Sequence, residues 1–147
     1  MDWVVFVVRV GLGLMFGIAG GLKIGHFDEF AGQIAGFEIL PQALIAPLAL
    51  LLPFVEVALG VYLTIGLFTR VAAGFAAVQL LIFAIAIASA VVRGISASCG
   101  CFGPQDQTVT SWPEVARDVA LMLLAAFVAW RAPGALATDR RMEQRYE

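Results

Sequence analysis

The sequence predicts an all-α integral membrane protein, a four-helix bundle with a short interfacial helix between the first and second spans. Three observations predict it. Hydrophobic residues fill 61% of the 147 positions and charged residues only 14%, where a water-soluble domain carries about 25% charged residues; the mean hydropathy is +0.93. Four apolar stretches, at approximately 3–22, 43–68, 71–92 and 112–131, reach the length of about 20 helical residues that crosses a hydrocarbon core. No hydrophilic segment is long enough to form a separate soluble unit, so residues 1–147 read as one transmembrane domain with a tail over 132–147. The net charge of -2 offers no basic face to nucleic acid, and the expected surroundings are a lipid membrane.

The start, Met1-Asp2-Trp3, lacks the basic residues of a secretory signal, and Arg9 interrupts the apolar run, so the first stretch is expected to stay as an uncleaved helix. Arg9, Gly13, Gly17 and Gly21 fall at steps of four, a spacing of small residues that lets helices approach closely. Next, Phe27, Phe30, Ile34 and Phe37 recur at spacings of three and four, with Asp28, Glu29, Gln33 and Glu38 on the remaining face. That is the pattern of an amphipathic helix on the membrane surface. His26, the only histidine, reads as a solvated polar cap at its edge rather than a metal ligand.

The second span carries Glu56, Gly60 and Thr64 on one stripe, with Pro53 expected to bend its entry turn. At about 1.5 Å per residue, Glu56 lies on the order of 12 to 20 Å below the outer surface, where a charge requires a partner or a cavity; Arg9, Lys23 and Arg117 are the candidate cations. The third span is the plain apolar run 71–92. Before the last, Ser111-Trp112-Pro113-Glu114 reads as a capping box with proline near the helix start. Arg117 and Asp118 follow, about 100° apart around the axis and therefore expected to pair with other helices rather than each other. Arg9, Lys23, Glu56, Arg117 and Asp118 form the expected intramembrane polar network, either structural ion pairs or a transport or proton path. Trp3, Trp112 and Trp130 fall near helix ends, where interfacial anchors belong.

Orientation follows from Lys and Arg near the helix ends. Arg70, Arg131, Arg140, Arg141 and Arg145 lie on one side; Lys23, Arg93 and Arg117 lie on the other. The excess puts both termini in the cytoplasm and the first and third connections outside. In a bacterium the membrane is then the inner one, and the outer face is oxidising.

The third connection holds the only two cysteines, in Ser98-Cys99-Gly100-Cys101-Phe102-Gly103-Pro104. Thiols one residue apart can close only through a tight turn, because a disulfide wants Cα atoms roughly 4.4 to 6.8 Å apart; Gly100 removes the steric obstacle to that turn. So short a loop removes little chain entropy when closed, which argues against a purely structural bond. A strained bond is easier to reduce and suits exchange. Cys99 and Cys101 are the candidate catalytic pair, with Gly100, Phe102 and Gly103 as the supporting loop.

Cys99-Gly100-Cys101-Phe102-Gly103, then Trp112, then Arg117-Asp118 at the start of a last helix, resembles the signature of the MauE family of methylamine-utilisation membrane proteins. Arg9, the glycines of the first helix, Lys23, Phe30, Leu52-Pro53, Glu56, Gly60 and Arg70 resemble the wider DoxX-like group. The resemblance covers nearly the whole chain. It implies a role in disulfide formation in exported proteins beside a thioredoxin-like partner, which for this chain would act in trans. The residues themselves carry nothing particular to methylamine metabolism.

The expected function is a membrane thiol:disulfide redox protein, a possible oxidoreductase, in which one cysteine exchanges with a partner and the other resolves the mixed disulfide. Arg93, six residues before Cys99, would favour a thiolate if the fold brought it near; the nucleophile stays open. With one cysteine pair, electrons pass either to a quinone among the helices or between two proteins, a thioredoxin-like protein or an exported cysteine-containing one. The protein carrier is preferred, because no aromatic and polar cluster in the sequence identifies a quinone pocket. The alternatives are a Cu(I) site on Cys99 and Cys101, since soft thiolates accept low coordination, and a small-molecule carrier or scaffold with incidental cysteines. A closed zinc site needs about four ligands, and Met122 and Met142 are too remote to complete any site.

Overall fold

In the computed structural model of the chain, residues 1–103, 107–132, 134 and 136–146 are described; Pro104 of the cysteine motif and three positions of the tail lie outside them. Six helices follow one another: α1 (Asp2–Lys23), α2 (Phe27–Gly36), α3 (Gln42–Ile65), α4 (Thr69–Val92), α5 (Trp112–Arg131) and α6 (Thr138–Tyr146). Apart from one isolated antiparallel bridge, Ser98 to Val109, the described residues form no sheet.

Three helices, α1, α3 and α4, are long and apolar enough to cross a membrane. The last expected stretch, α5, has the boundaries read from the sequence but is not among them; Glu114, Arg117 and Asp118 occupy its first two turns. α3 ends at Ile65 rather than at 68. Gly66 turns left-handed there (φ 77°) and its N–H, like that of Leu67, returns to the Tyr62 carbonyl, the usual way of satisfying a helix C-terminus. α3 is also continuous through Pro47 and Pro53, so Pro53 lies in mid-helix instead of at an entry turn.

α1 packs along α3 and α4 along α5; α1 also meets α5, while α3 and α4 touch only thinly. Val5, Leu12 and Phe16 of α1, Leu59 and Leu63 of α3, Ala73, Ala76 and Leu80 of α4, and Ala125 and Val128 of α5 share one buried core. The α1–α3 crossing depends on glycines. A Cβ on Gly60 would stand 2.5 Å from Gly17 N and 2.7 Å from Gly13 O, and one on Gly20 would stand 2.6 Å from Pro53 O. Gly21 faces open space, which corrects the expected stripe. Steps of four overshoot a 3.6-residue turn by about 40° each, so the contact line shifts from residue 21 to residue 20.

The tail is not simply a tail. In α6, Asp139 accepts hydrogen bonds from Phe68 N and Thr69 N, both 2.8 Å, and Arg140 reaches Asp2 at 2.9 Å. The two termini and the α3–α4 connection therefore share one end of the molecule. The cysteine loop lies at the other.

Candidate functional site

The cysteine loop is built on backbone pairing across the 94–111 connection. Cys99 N donates to Thr108 O (2.8 Å), Thr110 N to Ala97 O (2.9 Å), and Thr110 Oγ1 to Ile95 O (3.1 Å). Thr108, Val109 and Thr110 are β-branched and suit such a pairing, a signal present in the sequence but not used above. Within this frame Gly100 is left-handed (φ 62°) and Gly103 N donates to Gly100 O at 3.2 Å, closing the turn. Cys99 and Cys101 are joined as a disulfide with Cα atoms 5.4 Å apart. Cys99 is only 7% exposed; Cys101 is half-buried.

Two buried or half-buried cations hold this loop, one from each helix pair. Lys23, at the end of α1, donates to both Glu56 carboxylate oxygens (2.9 and 2.8 Å) and to the Cys101 carbonyl (3.1 Å), and its Nζ lies 5.0 Å from the Phe30 ring centroid. Arg117, in the second turn of α5, donates to Asp118 Oδ1 through Nε (3.1 Å) and Nη2 (3.0 Å) and places Nη2 3.5 Å from Cys99 Sγ. Its guanidinium covers the Phe102 ring at 5.3 Å. Each cation thus has a carboxylate, an aromatic face and one cysteine. Gln79 of α4 adds a third bond to Glu56 Oε1 at 3.2 Å.

Lys23 is the partner of Glu56 among the three candidates. Arg9 is fully buried but stands 14 residues, about 21 Å, farther along α1, donating to the Leu63 carbonyl at 3.2 Å; the fold does not bring it to the others. The expectation that Arg117 and Asp118 avoid each other is overturned. Asp118 points inward, 2% exposed, and the long Arg117 side chain curls back over it, so the 100° offset of neighbours is bridged by reach. Arg93 does not serve the cysteines either: it hydrogen-bonds Ser89 and the carbonyls of Phe37 and Glu38. At the start of α5, Ser111 and Glu114 do meet, but through hydroxyl and carboxylate, and Ser111 makes no side-chain bond to the helix backbone.

The surface helix roofs the site. Phe27 stacks on Phe54 of α3 with centroids 6.1 Å apart, Phe30 is 5% exposed, and Gly36 packs on Ala97 of the loop. Gln33, expected on the water-facing side with Asp28 and Glu29, turns instead onto Gly100, where any Cβ would collide with its amide. Beneath α2 lies a cavity of about 230 Å³, bounded by Phe30 and Ile34 of α2 and Phe37 just after it, Leu48 and Leu52 of α3, Ile82, Phe83, Ala86 and Ile87 of α4, with Lys23, Gln33, Cys99, Gly100 and Cys101 at its polar end. A second, of about 30 Å³, separates the two ion pairs and is lined by Glu56, Cys101, Phe102, Arg117 and Asp118 among others; Asp118 Oδ2 is buried there without a hydrogen bond. Gln79 and Phe83 were not anticipated. A lone amide in an apolar 24-residue helix was the available signal for Gln79; Phe83 had none.

No group of three or more His, Cys, Asp or Glu among the described residues is placed to hold a metal ion. Comparison with known proteins bears on the whole chain. No solved structure matches it. The family model described as methylamine utilisation protein MauE matches residues 1–131. The methylamine utilization protein MauE of Paracoccus denitrificans is 37% identical over 134 residues, 90% of this chain and 72% of that one. The protein of the same name from Methylorubrum extorquens is 38% identical over 131 residues, 88% and 70% of the two chains. With the model spanning nearly the whole chain and such identities over most of each relative, the chain belongs to the MauE family.

Proposed function

We propose that this protein is a membrane thiol:disulfide redox protein that passes oxidising equivalents from its Cys99–Cys101 pair to a thioredoxin-like or exported cysteine-containing protein. α5 completes a four-helix bundle with α1, α3 and α4, with Asp118 turned into the core; both termini face the cytoplasm and the cysteine loop faces out, following the Lys and Arg count. The names of its relatives suggest that the pathway served is methylamine utilisation.

The observation that carries this reading is Arg117 Nη2 on Cys99 Sγ, together with the burial of Cys99 and the greater exposure of Cys101. A cation beside a sulfur stabilises its thiolate, and the better leaving thiolate departs faster. A partner thiolate then attacks Cys101 Sγ; the Cys99–Cys101 bond breaks, and Cys99 leaves as a thiolate against Arg117. The partner's second thiolate attacks the partner sulfur of the mixed disulfide and releases Cys101. The partner gains a disulfide, and this chain holds two reduced cysteines.

The test is thiol trapping in intact cells, by acid quench and mass-tag alkylation, of wild type, Cys99→Ser and Cys101→Ser. Expected are a mixture of oxidised and reduced wild type and a reducible adduct to another protein in Cys99→Ser, where Cys101 survives. Thiols that stay reduced and unreactive until a copper chelator is added would replace this reading with a Cu(I) site.

A further inference from the structure

We infer that the cavity beneath α2 is a binding site for a lipid-soluble quinone, which reoxidises the Cys99–Cys101 pair directly. The inference rests on the redox reading above and names the oxidant that reading lacks. Its ground is where the cavity lies. Cys99, Gly100 and Cys101 form part of its wall, so whatever occupies it touches the sulfur-bearing residues. Most of the remaining wall is apolar, as in ligand sites generally, where a few placed polar groups fix orientation. Its rim includes Leu40, Leu48 and Ile82, which are exposed at 36%, 37% and 58%. Leu48 and Ile82 belong to helices long and apolar enough to cross a membrane, so the occupant enters from lipid rather than from water.

The polar groups gather at one end. Lys23 is already committed to Glu56 and Cys101 through three hydrogen bonds, so its charge there is neutralised and would not select an anion. The Gln33 amide lies at the same end, over Gly100. The fitting molecule is uncharged, long and apolar, with a polar head of acceptor oxygens that can meet the two thiols of the reduced pair. A quinone with an isoprenoid tail has that form and also the matching chemistry. Two thiols lose two electrons and two protons as the S–S bond forms, and the two quinone carbonyls take up the same number to become hydroxyls. The aromatic and polar cluster that the sequence did not reveal is assembled here by distant segments: Phe30 and Gln33 of α2, Phe83 of α4 and Lys23 of α1.

The experiment uses the full chain in lipid nanodiscs, reduced and freed of reductant without oxygen, then mixed with a short-chain ubiquinone. Quinone absorbance and the mass-tagged thiol state are followed together, and a small aromatic disulfide is supplied in a parallel sample. Expected is one quinone reduced per pair reoxidised, and a slowing of at least about tenfold when Ala86→Phe or Leu48→Trp fills the cavity, with the reaction toward the small disulfide unchanged. If the small disulfide oxidises the pair while quinone does not, as when the cavity only lodges an acyl chain, the quinone site is overturned and the redox reading stands. If quinone oxidises the protein equally fast in both filled variants, this cavity is not the site. If neither oxidant acts on the pair, the redox reading itself falls.

Discussion

The Lys23 ammonium donates two hydrogen bonds to Glu56 and its third to the carbonyl of Cys101, so a fully buried ion pair between α1 and α3 also holds the cysteine loop. The pair need not be worth much in itself, because desolvation offsets most of the attraction, but removing one partner leaves an uncompensated buried charge. Lys23→Met should therefore cost about 3–5 kcal/mol, and the double variant Lys23→Met, Glu56→Leu should recover most of that loss. Thermal unfolding in detergent checks it. Equal destabilisation of the single and double variants would mean that the loss comes from the loop contact and not from the orphaned carboxylate.

The second cation predicts reactivity rather than stability. In a Cys101→Ser background, Arg117→Gln removes the donor beside Cys99 and should slow alkylation of Cys99 at neutral pH about tenfold, the equivalent of one unit of thiol pKa. Arg117→Lys should fall between, because an ammonium keeps the charge near Asp118 but loses the planar fork that reaches carboxylate and sulfur together. Rates of iodoacetamide labelling across pH decide it; an unchanged profile in both variants would leave Arg117 as a partner of Asp118 only.

These two clusters show what the sequence could and could not convey. The long helices α1, α3 and α4 were legible because apolar runs of about 20 residues are a one-dimensional signal; α5 came out at its expected ends despite its charged first turns, while the polar α6 gave no such run. The cysteine loop was legible because two thiols one residue apart constrain each other locally. Which cation meets which acid was not, since Lys23 and Glu56 are joined by the crossing angle of α1 and α3, and Arg117 meets Asp118 through side-chain reach that helical wheel geometry ignores. Gln33 was misplaced for a similar reason. Its helix face looks polar in isolation, and only the fold of the loop supplies the surface it packs on.

At the site itself, Gly100→Ala tests how closely α2 is held on the loop. The residue is left-handed, which costs a side-chain-bearing residue roughly 1–2 kcal/mol, and its Cβ would collide with the Gln33 amide. Adding Gln33→Ala should relieve only the collision, since that side chain can move, and leave the backbone cost. Hydrogen exchange in α2 is the readout: protection should fall in Gly100→Ala and return in the double variant, while the loop amides stay less protected in both.

The glycine contact line makes a sharper claim about α1. Gly21 faces open space, so Gly21→Ala should be neutral or stabilise the helix by about 0.5–1 kcal/mol. Gly20→Ala and Gly60→Ala press on backbone atoms that cannot rotate away and should destabilise by about 1–3 kcal/mol. Unfolding midpoints of the three variants, measured side by side, separate residue 20 from residue 21 as the contact.

The far end of the molecule offers a prediction independent of the redox site. α4 has no side-chain cap of its own, and the residue before it, Phe68, is left-handed. Asp139 supplies the cap from 70 residues away: its two carboxylate oxygens accept Phe68 N and Thr69 N at 2.8 Å, its own N–H donates to Gly66 O at 3.1 Å, and Thr138 Oγ1 donates to Ile65 O at 3.0 Å. A short α6 thereby closes both the end of α3 and the start of α4. Loss of an N-cap costs about 0.5–2 kcal/mol, and an anion is favoured at a helix N-terminus, so Asp139→Ala should lie in that range and Asp139→Asn should lose less. The effect should be local. Amide exchange should quicken at Phe68 and Thr69, whose protons the carboxylate accepts, while the cysteine loop and α2 keep their wild-type protection. Unchanged exchange at those two amides in Asp139→Ala would show that α6 packs on the bundle without holding α4.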